Sequence, residues 1–278
     1  MMNNKRDDIK LWRDNGLSGG MEILRASCFE HSYPAHFHNE FVIAAFARGA
    51  QRHRVCRHAG VAAAGTVMII HPGEVHTGEA LQRDKGWDYS AFYPSESLVE
   101  EAAASVLGGR GSVNFGRDVM RHDPKVARGL LQASLLMTQS QDPLEKECAL
   151  FQMLGMVIGH YGQRTHRGAA TRALRADMRR ATDFLQTAYH QPVTVGEVAS
   201  IVGLSEFHFM RTFQASTGLS VHRYLTQIRL ARAKTLLAQG VSAAQTALDV
   251  GFFDQSHFTR HFRTHFGITP GAFGAACR

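Results

Sequence analysis

The feature that most constrains this chain is a short stretch that occurs twice. His208-Phe209-Met210-Arg211-Thr212-Phe213 is followed by Gly218, and His257-Phe258-Thr259-Arg260-His261-Phe262 by Gly267. Both read H-F-x-R-x-F-x-x-x-x-G, and the five shared residues are displaced by the same 49 positions. A fixed offset over several matched positions is an internal repeat, so the region is built from two copies of one unit. Phe209 and Phe213 are spaced i, i+4, as are Phe258 and Phe262, and each pair shares a helix face. Phe207, Met210, Arg211 and Gln214 fall on another face of the first copy. Ser256, Thr259, Arg260 and Arg263 do so in the second. Each copy therefore reads as a short helix with an aromatic underside and a cationic, partly polar outer side. One such segment alone is most often an ordinary amphipathic surface helix. The duplication, and what precedes each copy, argue for more.

What precedes each copy is a second, shorter helix. Thr194-x-x-Glu197 is a capping box ahead of Val198, Ala199 and Val202, Gly203 breaks the pattern, and Ser205 caps the repeat helix. Ser242-x-x-Gln245, Ala247, Val250 and Gly251 repeat the plan before Gln255. Short helix, glycine turn and second helix make a helix-turn-helix. Between the copies, Val221 to Ala238 carries Leu225, Ile228, Arg232 and Leu236 at helical spacing. Eighteen helical residues span about 27 Å, to be set against about 34 Å for one turn of B-DNA. The two repeat helices can thus reach successive major grooves. Ahead of them, Ala173 to Ala188 is helical, and Pro192 stops it.

Charge follows the same division. The chain of 278 residues carries a net charge of +7, and residues 170–278 hold 12 Lys and Arg against 6 Asp and Glu. Residues 1–169 hold 19 against 18, so nearly all the excess lies in the half with the repeat. That asymmetry points to a nucleic-acid module. The four cysteines, Cys28, Cys56, Cys148 and Cys277, show no C-x-x-C pair, which argues against a zinc ribbon or a disulfide framework. No signal-peptide pattern opens the sequence, and apolar runs are far shorter than a membrane span. A cytoplasmic protein is expected.

The first half reads differently. Met21 to Ser27, Glu40 to Ala47, Gln51 to Arg57, Thr66 to Ile70 and Trp87 to Tyr93 read as strands separated by turn residues. Short strands at even spacing suggest an all-β sandwich or barrel. Within them, His36, His38 and Glu40 are two apart, and would point to one side of an extended strand. His71-Pro72-Gly73-Glu74-Val75-His76 forms a later turn. Three readings stay open for His36, His38, Glu40 and His76: structural hydrogen bonds, the lining of a small-molecule pocket, or a metal site. Here the stretch resembles the cupin barrel, through Gly49 after the histidines and Pro-Gly-x-x-His. Metal-binding cupins place a glutamate four or five positions after the second histidine. This chain has Val42 and Ile43 there, so no metal and no cofactor is assigned.

Ser97-x-x-Glu100 starts a helix that Gly108-Gly109-Arg110-Gly111 ends. Pro124 opens a second helix and Asp142-Pro143 a third, with a wide apolar stripe through Leu144, Cys148, Phe151, Leu154, Val157, Ile158 and Tyr161. The stripe suits packing on the sheet and a homodimer interface. The polar, basic run from Gly162 to Thr171 reads as a linker.

The run from Gly251 to Phe262, with Phe266-Gly267-Ile268-Thr269-Pro270 behind it, is similar to the signature of AraC/XylS-type transcriptional regulators. The likeness covers about the last hundred residues. It departs from the family at Thr246, where isoleucine is usual, and at Ala272-Phe273. The expected fold class is α+β: a cupin-like β-barrel with a helical dimerisation segment over 1–161, a linker over 162–172, and an all-α DNA-binding domain with two helix-turn-helix motifs over 173–278. The resemblance implies that Phe207, Met210 and Arg211, and Gln255, Ser256, Thr259 and Arg260, face DNA. It also implies a small-molecule effector at His36, His38, Glu40 and His76. The partners expected are double-stranded promoter DNA, a second copy of the chain, and RNA polymerase; no enzyme activity is expected. One rival is a cupin-type metalloenzyme with a DNA-binding tail. Another is an architectural DNA binder without an effector.

Overall fold

The computed structural model describes residues 6–14, 17, 20–56, 58–107, 112–116, 118–165 and 172–277. They divide into two compact units, Met1–Tyr33 with His38–His166, and Pro34–Phe37 with Arg167–Arg278. The elements run β1 (Asp8–Asp14), β2 (Met21–Cys28), β3 (Tyr33–His36), β4 (Val42–Val55), β5 (His58–Ala63), β6 (Thr66–Ile70), β7 (His76–Ala80), β8 (Trp87–Tyr93) and α1 (Glu96–Leu107). There follow β9 (Ser112–Asn114), β10 (Met120–His122), α2 (Pro124–Gln139), α3 (Pro143–Tyr161) and β11 (Gln163–Thr165). The chain then becomes helical: α4 (Arg172–Ala188), α5 (Val195–Ile201), α6 (Glu206–Thr217), α7 (Val221–Ala238), α8 (Ala243–Asp249), α9 (Gln255–Phe266) and α10 (Pro270–Ala276).

In the first unit the strands follow the path β1-β2-β8-β4-β6-β10, with β5 and β7 also on β4. Among the described residues this path stays open, which corrects the expected barrel. A second difference lies in β4. The sequence reads as two strands there, but Val42–Val55 is one strand of 14 residues. Its first part pairs with β6 and β8, its second with β5 and β7. The change of partners occurs beside a register shift between Phe46 and Arg48. Gly49 follows with φ 67°, and a Cβ there would stand 2.0 Å from the Gly86 carbonyl oxygen. Only glycine fits such a left-handed, close-approach position.

Helices, rather than sheet closure, cover the apolar face. Ile23, Ile43, Val67, Ile69 and Phe92 share one core with Val99 of α1, Leu130 of α2 and Leu150, Leu154 and Ile158 of α3. Each such side chain contributes on the order of 1.5–3 kcal/mol by leaving water. Most of the α3 stripe is thus spent on this core, while Leu144 and Phe151 stay exposed. The helix starts follow the sequence at α2 and α3, where Asp123 and Asp142 accept from Val126 and Leu144 N–H. At α1 the hydroxyl that caps is Ser95, accepting from Leu98 N–H, two residues before the expected Ser97. The glycine run expected to end that helix lies outside the described residues. Gln163–Thr165, read as linker, instead pairs with β9.

The second unit is the repeat made solid. The Thr194–Glu197 capping box forms in both directions, at 2.7 Å to the Thr194 N–H and 3.3 Å to the Glu197 N–H. Ser242 accepts from Gln245 N–H at α8. Both repeat helices end on a left-handed glycine, Gly218 and Gly267, with φ 77° and 76°. Phe209, Phe213, Phe258 and Phe262 are all 0% exposed.

Candidate nucleic-acid interface and effector pocket

The aromatic pairs fix which way each repeat helix faces. Phe209 and Phe213 lie 5.3 Å apart between ring centroids, Phe258 and Phe262 5.5 Å, each pair inside its own core. Turning that face inward leaves the other outward by helical geometry. On α6, Met210 and Arg211 are exposed; the Phe207 side chain lies outside the described ones. On α9, Gln255, Ser256 and Arg260 are exposed and Thr259 is half-buried. Arg263 adds an exposed positive group to the last turn of α9, whereas His265 there is buried.

The helix between the copies is held at its middle. Arg229 on α7 donates from Nε to Tyr189 O at 2.8 Å and from Nη2 to Gln191 O at 3.0 Å. Burial lowers its guanidinium from the usual arginine range. The second turn packs into this clamp. A Cβ on Gly251 would meet His190 O at 3.0 Å and Arg229 Nη2 at 3.1 Å. The spacer, the end of α4 and the second helix-turn-helix are thereby one packed body. No sequence pattern marked Arg229 for this task, because its partners are backbone carbonyls about 40 residues away.

The expected pocket residues separate into two groups, the histidines and Glu40; His38, Glu40 and His76 belong to the first unit and His36 to the segment Pro34–Phe37 of the second. His36 ends β3, whereas His38 and Glu40 follow it in the connection to β4, so they do not line one strand face. His36 Nδ1 lies 2.6 Å from Pro34 O, and His76 Nδ1 lies 2.9 Å from Glu74 O. Those contacts put the proton on Nδ1 and the lone pair on Nε2. Burial pulls His76 down to about 4, so it is neutral at physiological pH.

Glu40 belongs to the other group. It lines a cavity of about 80 Å³ with Arg13, Glu22, Tyr93 and Ser95. Glu22 accepts from Arg13 Nη1 at 2.8 Å, and burial, with Glu22 and Glu40 nearby, raises the Tyr93 hydroxyl above its ordinary value. His38 reaches this cavity's wall, its ring 5.0 Å from that of Tyr93 and 5.2 Å from that of His76. Arg13, Glu22 and Tyr93 were not singled out from sequence. A buried glutamate in an apolar strand is the one signal, and its meaning depends on the β2–β8 register that sets Glu22 opposite Tyr93.

Comparison with known proteins follows the same two units. Residues 198–276 match the family described as helix-turn-helix domain, and residues 18–154 the AraC-like ligand binding domain. The HTH-type transcriptional regulator YbfI of Bacillus subtilis (strain 168) is 27% identical over 85% of each chain. The Msm operon regulatory protein of Streptococcus mutans is 23% identical over 87% of each. Among solved structures, an apo ToxT variant from Vibrio cholerae strain SCE256 has the same fold over the whole of both chains, with a TM-score of 0.60 at 13% identity. Among the described residues no helix is long and apolar enough to cross a membrane. The chain belongs to the AraC family of transcriptional regulators, with an AraC-like ligand-binding domain ahead of a helix-turn-helix DNA-binding domain.

Proposed function

We propose that this regulator reads two adjacent, non-identical half-sites in a promoter, and that a small molecule in the first unit controls that binding. The observation that carries the reading is the duplicated helix whose repeated phenylalanines are buried, while the arginine common to both copies and the unlike Met210 and Ser256 are exposed. Arg260 and Gln255 suit guanine and adenine edges, and Thr259 and Met210 suit thymine methyls. Ser256, Arg211 and Phe207 complete the set by position. Phosphate contact alone by the arginines would position the protein without specifying sequence. The effector seat is assigned to His36, His38, Glu40 and His76, and within the first unit the Glu40 cavity, with Tyr93 against His38, supports it. An effector shifts DNA binding only by its difference in affinity for two states. The functional division follows 1–161, 162–172 and 173–278. A homodimer forms through α2 and α3, where Leu135, Leu144 and Phe151 remain exposed. RNA polymerase is the further partner, and the chain itself catalyses no reaction.

Footprinting of the full-length protein on upstream DNA is expected to give a discrete protected site with steep salt dependence. Arg260→Ala should weaken binding to that site by roughly 5- to 150-fold, the equivalent of about 1–3 kcal/mol. Unchanged affinity would break the assignment. The residue types of His36, His38 and His76 raise one other reading, a metal-dependent cupin. His38 and His76, 5.2 Å apart between ring centroids in the first unit, are too few for a zinc-type set by themselves, and Glu40 lines the neighbouring cavity instead of adding to them. Stoichiometric zinc or iron in purified protein, lost in His36→Ala, would favour that reading.

A further inference from the structure

The two helix-turn-helix units do not follow a single offset. Ser242 caps α8 as Thr194 caps α5, and Gly251 turns with φ 85° as Gly203 does with φ 69°. Phe252 N–H donates to Ala247 O as Leu204 N–H donates to Ala199 O. All these pairs are 48 positions apart. From the cap of the second helix onward the displacement is 49: Asp254 for Ser205, Gly267 for Gly218, Thr269 for Ser220. The second turn is one residue longer, and the added residue is Phe253.

The fold makes no use of this side chain. An apolar residue just before the N-cap commonly packs on the fourth residue of the helix. In the first copy these are Leu204 and Phe209, and Leu204 packs against the core that contains Phe209. In the second copy the fourth residue is Phe258. Its neighbour is Phe252, with ring centroids 5.3 Å apart, from one position earlier. Phe253 holds the stapling position by sequence and is 89% exposed. The cap is made without it, since Asp254 Oδ1 accepts from His257 N–H at 2.6 Å. Single exposed apolar residues are common on protein surfaces. An inserted one at the leading end of a groove-entering helix stands where base edges are contacted.

We propose that Phe253 is a specificity-determining residue that seats its ring on a thymine C5-methyl in the major groove, next to the base edge taken by Gln255. The proposal rests on α9 being the helix that enters the groove. An apolar side chain on a thymine methyl is an established form of direct readout. Both repeat units then carry an apolar reader: Met210 within α6, which is 43% exposed, and Phe253 ahead of α9, whose other outward residues are polar. The extra turn residue is what lets the second copy carry its apolar contact outside the helix.

The test uses a duplex selected from a random-sequence pool by the full-length wild-type protein. Each thymine is then replaced singly by deoxyuridine, which removes only the methyl. Wild type should lose about fourfold in affinity at one position, the equivalent of one buried methyl group. Phe253→Ser should be insensitive at that position, with an unchanged thermal unfolding midpoint and unchanged response elsewhere. A Phe253→Ser profile identical to wild type overturns the proposal, including the case where only transcription in the presence of RNA polymerase falls. Arg260→Ala on the same duplex separates the two levels. If Arg260→Ala weakens binding and Phe253→Ser keeps the wild-type profile, this proposal falls and the assignment of α9 stands. If Arg260→Ala and Phe253→Ser are both silent, α9 does not read this DNA and both fall.

Discussion

The two helix-turn-helix units share a skeleton and differ at their surfaces. In both, two phenylalanines one turn apart are fully buried, and a left-handed glycine ends the helix. Outside that frame they diverge. The first reading helix carries Glu206 and Arg211 and starts at Ser205, which makes no side-chain cap bond. The second carries Arg260 and Arg263, has no acidic residue, and starts at a well-bonded Asp254. Its turn is one residue longer. The lesson is that duplication preserved what packs together with one outward arginine and varied the residues around it, and the second copy is the better anchored and the more basic of the two. Long-range attraction to phosphate should therefore come mainly from the second copy.

The sharpest way to break that comparison is to cut the shared skeleton. Phe209→Ala and Phe258→Ala should each destabilise the second unit by about 3–5 kcal/mol, with matching loss of DNA binding. Urea unfolding monitored by circular dichroism measures both. A cost below about 1 kcal/mol for either would mean that the copies are not equally packed.

The turn glycines test where the copies part. Gly203 and Gly251 are both left-handed, so alanine at either costs about 1–2 kcal/mol. A Cβ at Gly203 meets nothing within 4 Å, whereas at Gly251 it meets His190 O, Arg229 Nη2 and the Tyr189 O that Arg229 holds. Gly251→Ala should therefore be the costlier substitution in the same unfolding experiment, and equal costs would remove the clamp from the account.

A smaller effect has the opposite sign. Thr246 is fully buried and its hydroxyl makes no hydrogen bond. The matching residue of the first copy is Val198, also fully buried. Thr246→Val should stabilise by about 1 kcal/mol, because it removes an unsatisfied polar group of similar volume. A drop in the unfolding midpoint would show that the hydroxyl has a partner in solution.

The smallest effect concerns pH. Burial, then the nearby His257, Arg260 and His222, lower His261 below the ordinary histidine value of 6.5. The folded state thus binds this proton less well than the unfolded chain. Its contribution to stability is complete above pH 6.5 and is lost as pH falls from there through the lowered folded value. Thr212 is the matching residue in the first copy. His261→Thr should flatten the fall in stability between neutral and mildly acidic pH, read as unfolding midpoint against pH.

Much of the second unit was legible in the sequence. α7 occupies the same Val221–Ala238 that apolar spacing marks, and the Thr194–Glu197 box forms as its residue types require. Helices announce themselves through neighbours three and four residues away, so a local pattern suffices. The first unit was less legible. β4 looked like two strands because Gly49 and Arg48 interrupt the apolar run, and the short strands β1, β3, β5, β7, β9 and β10 escaped notice. A strand is stabilised by partners distant in sequence, and no local spacing names them. The pocket shows the same limit. Glu40 was expected beside His36 and His38, but the chain leaves the strand after His36 and carries it to Arg13 and Glu22 instead.

The sequence by itself determined the duplicated helix, its buried phenylalanines, its capping residues and the charge excess that marks a DNA-binding half. These depend on composition and on periodicities of a few residues. Tertiary structure decided that the sheet stays open under three helices, and that Arg229 ties the spacer to the end of α4. It also decided that Phe252, rather than Phe253, packs on Phe258. Two adjacent phenylalanines are indistinguishable in a sequence. Only the path of the turn decides which one leaves water, and that path is set by contacts between residues far apart along the chain.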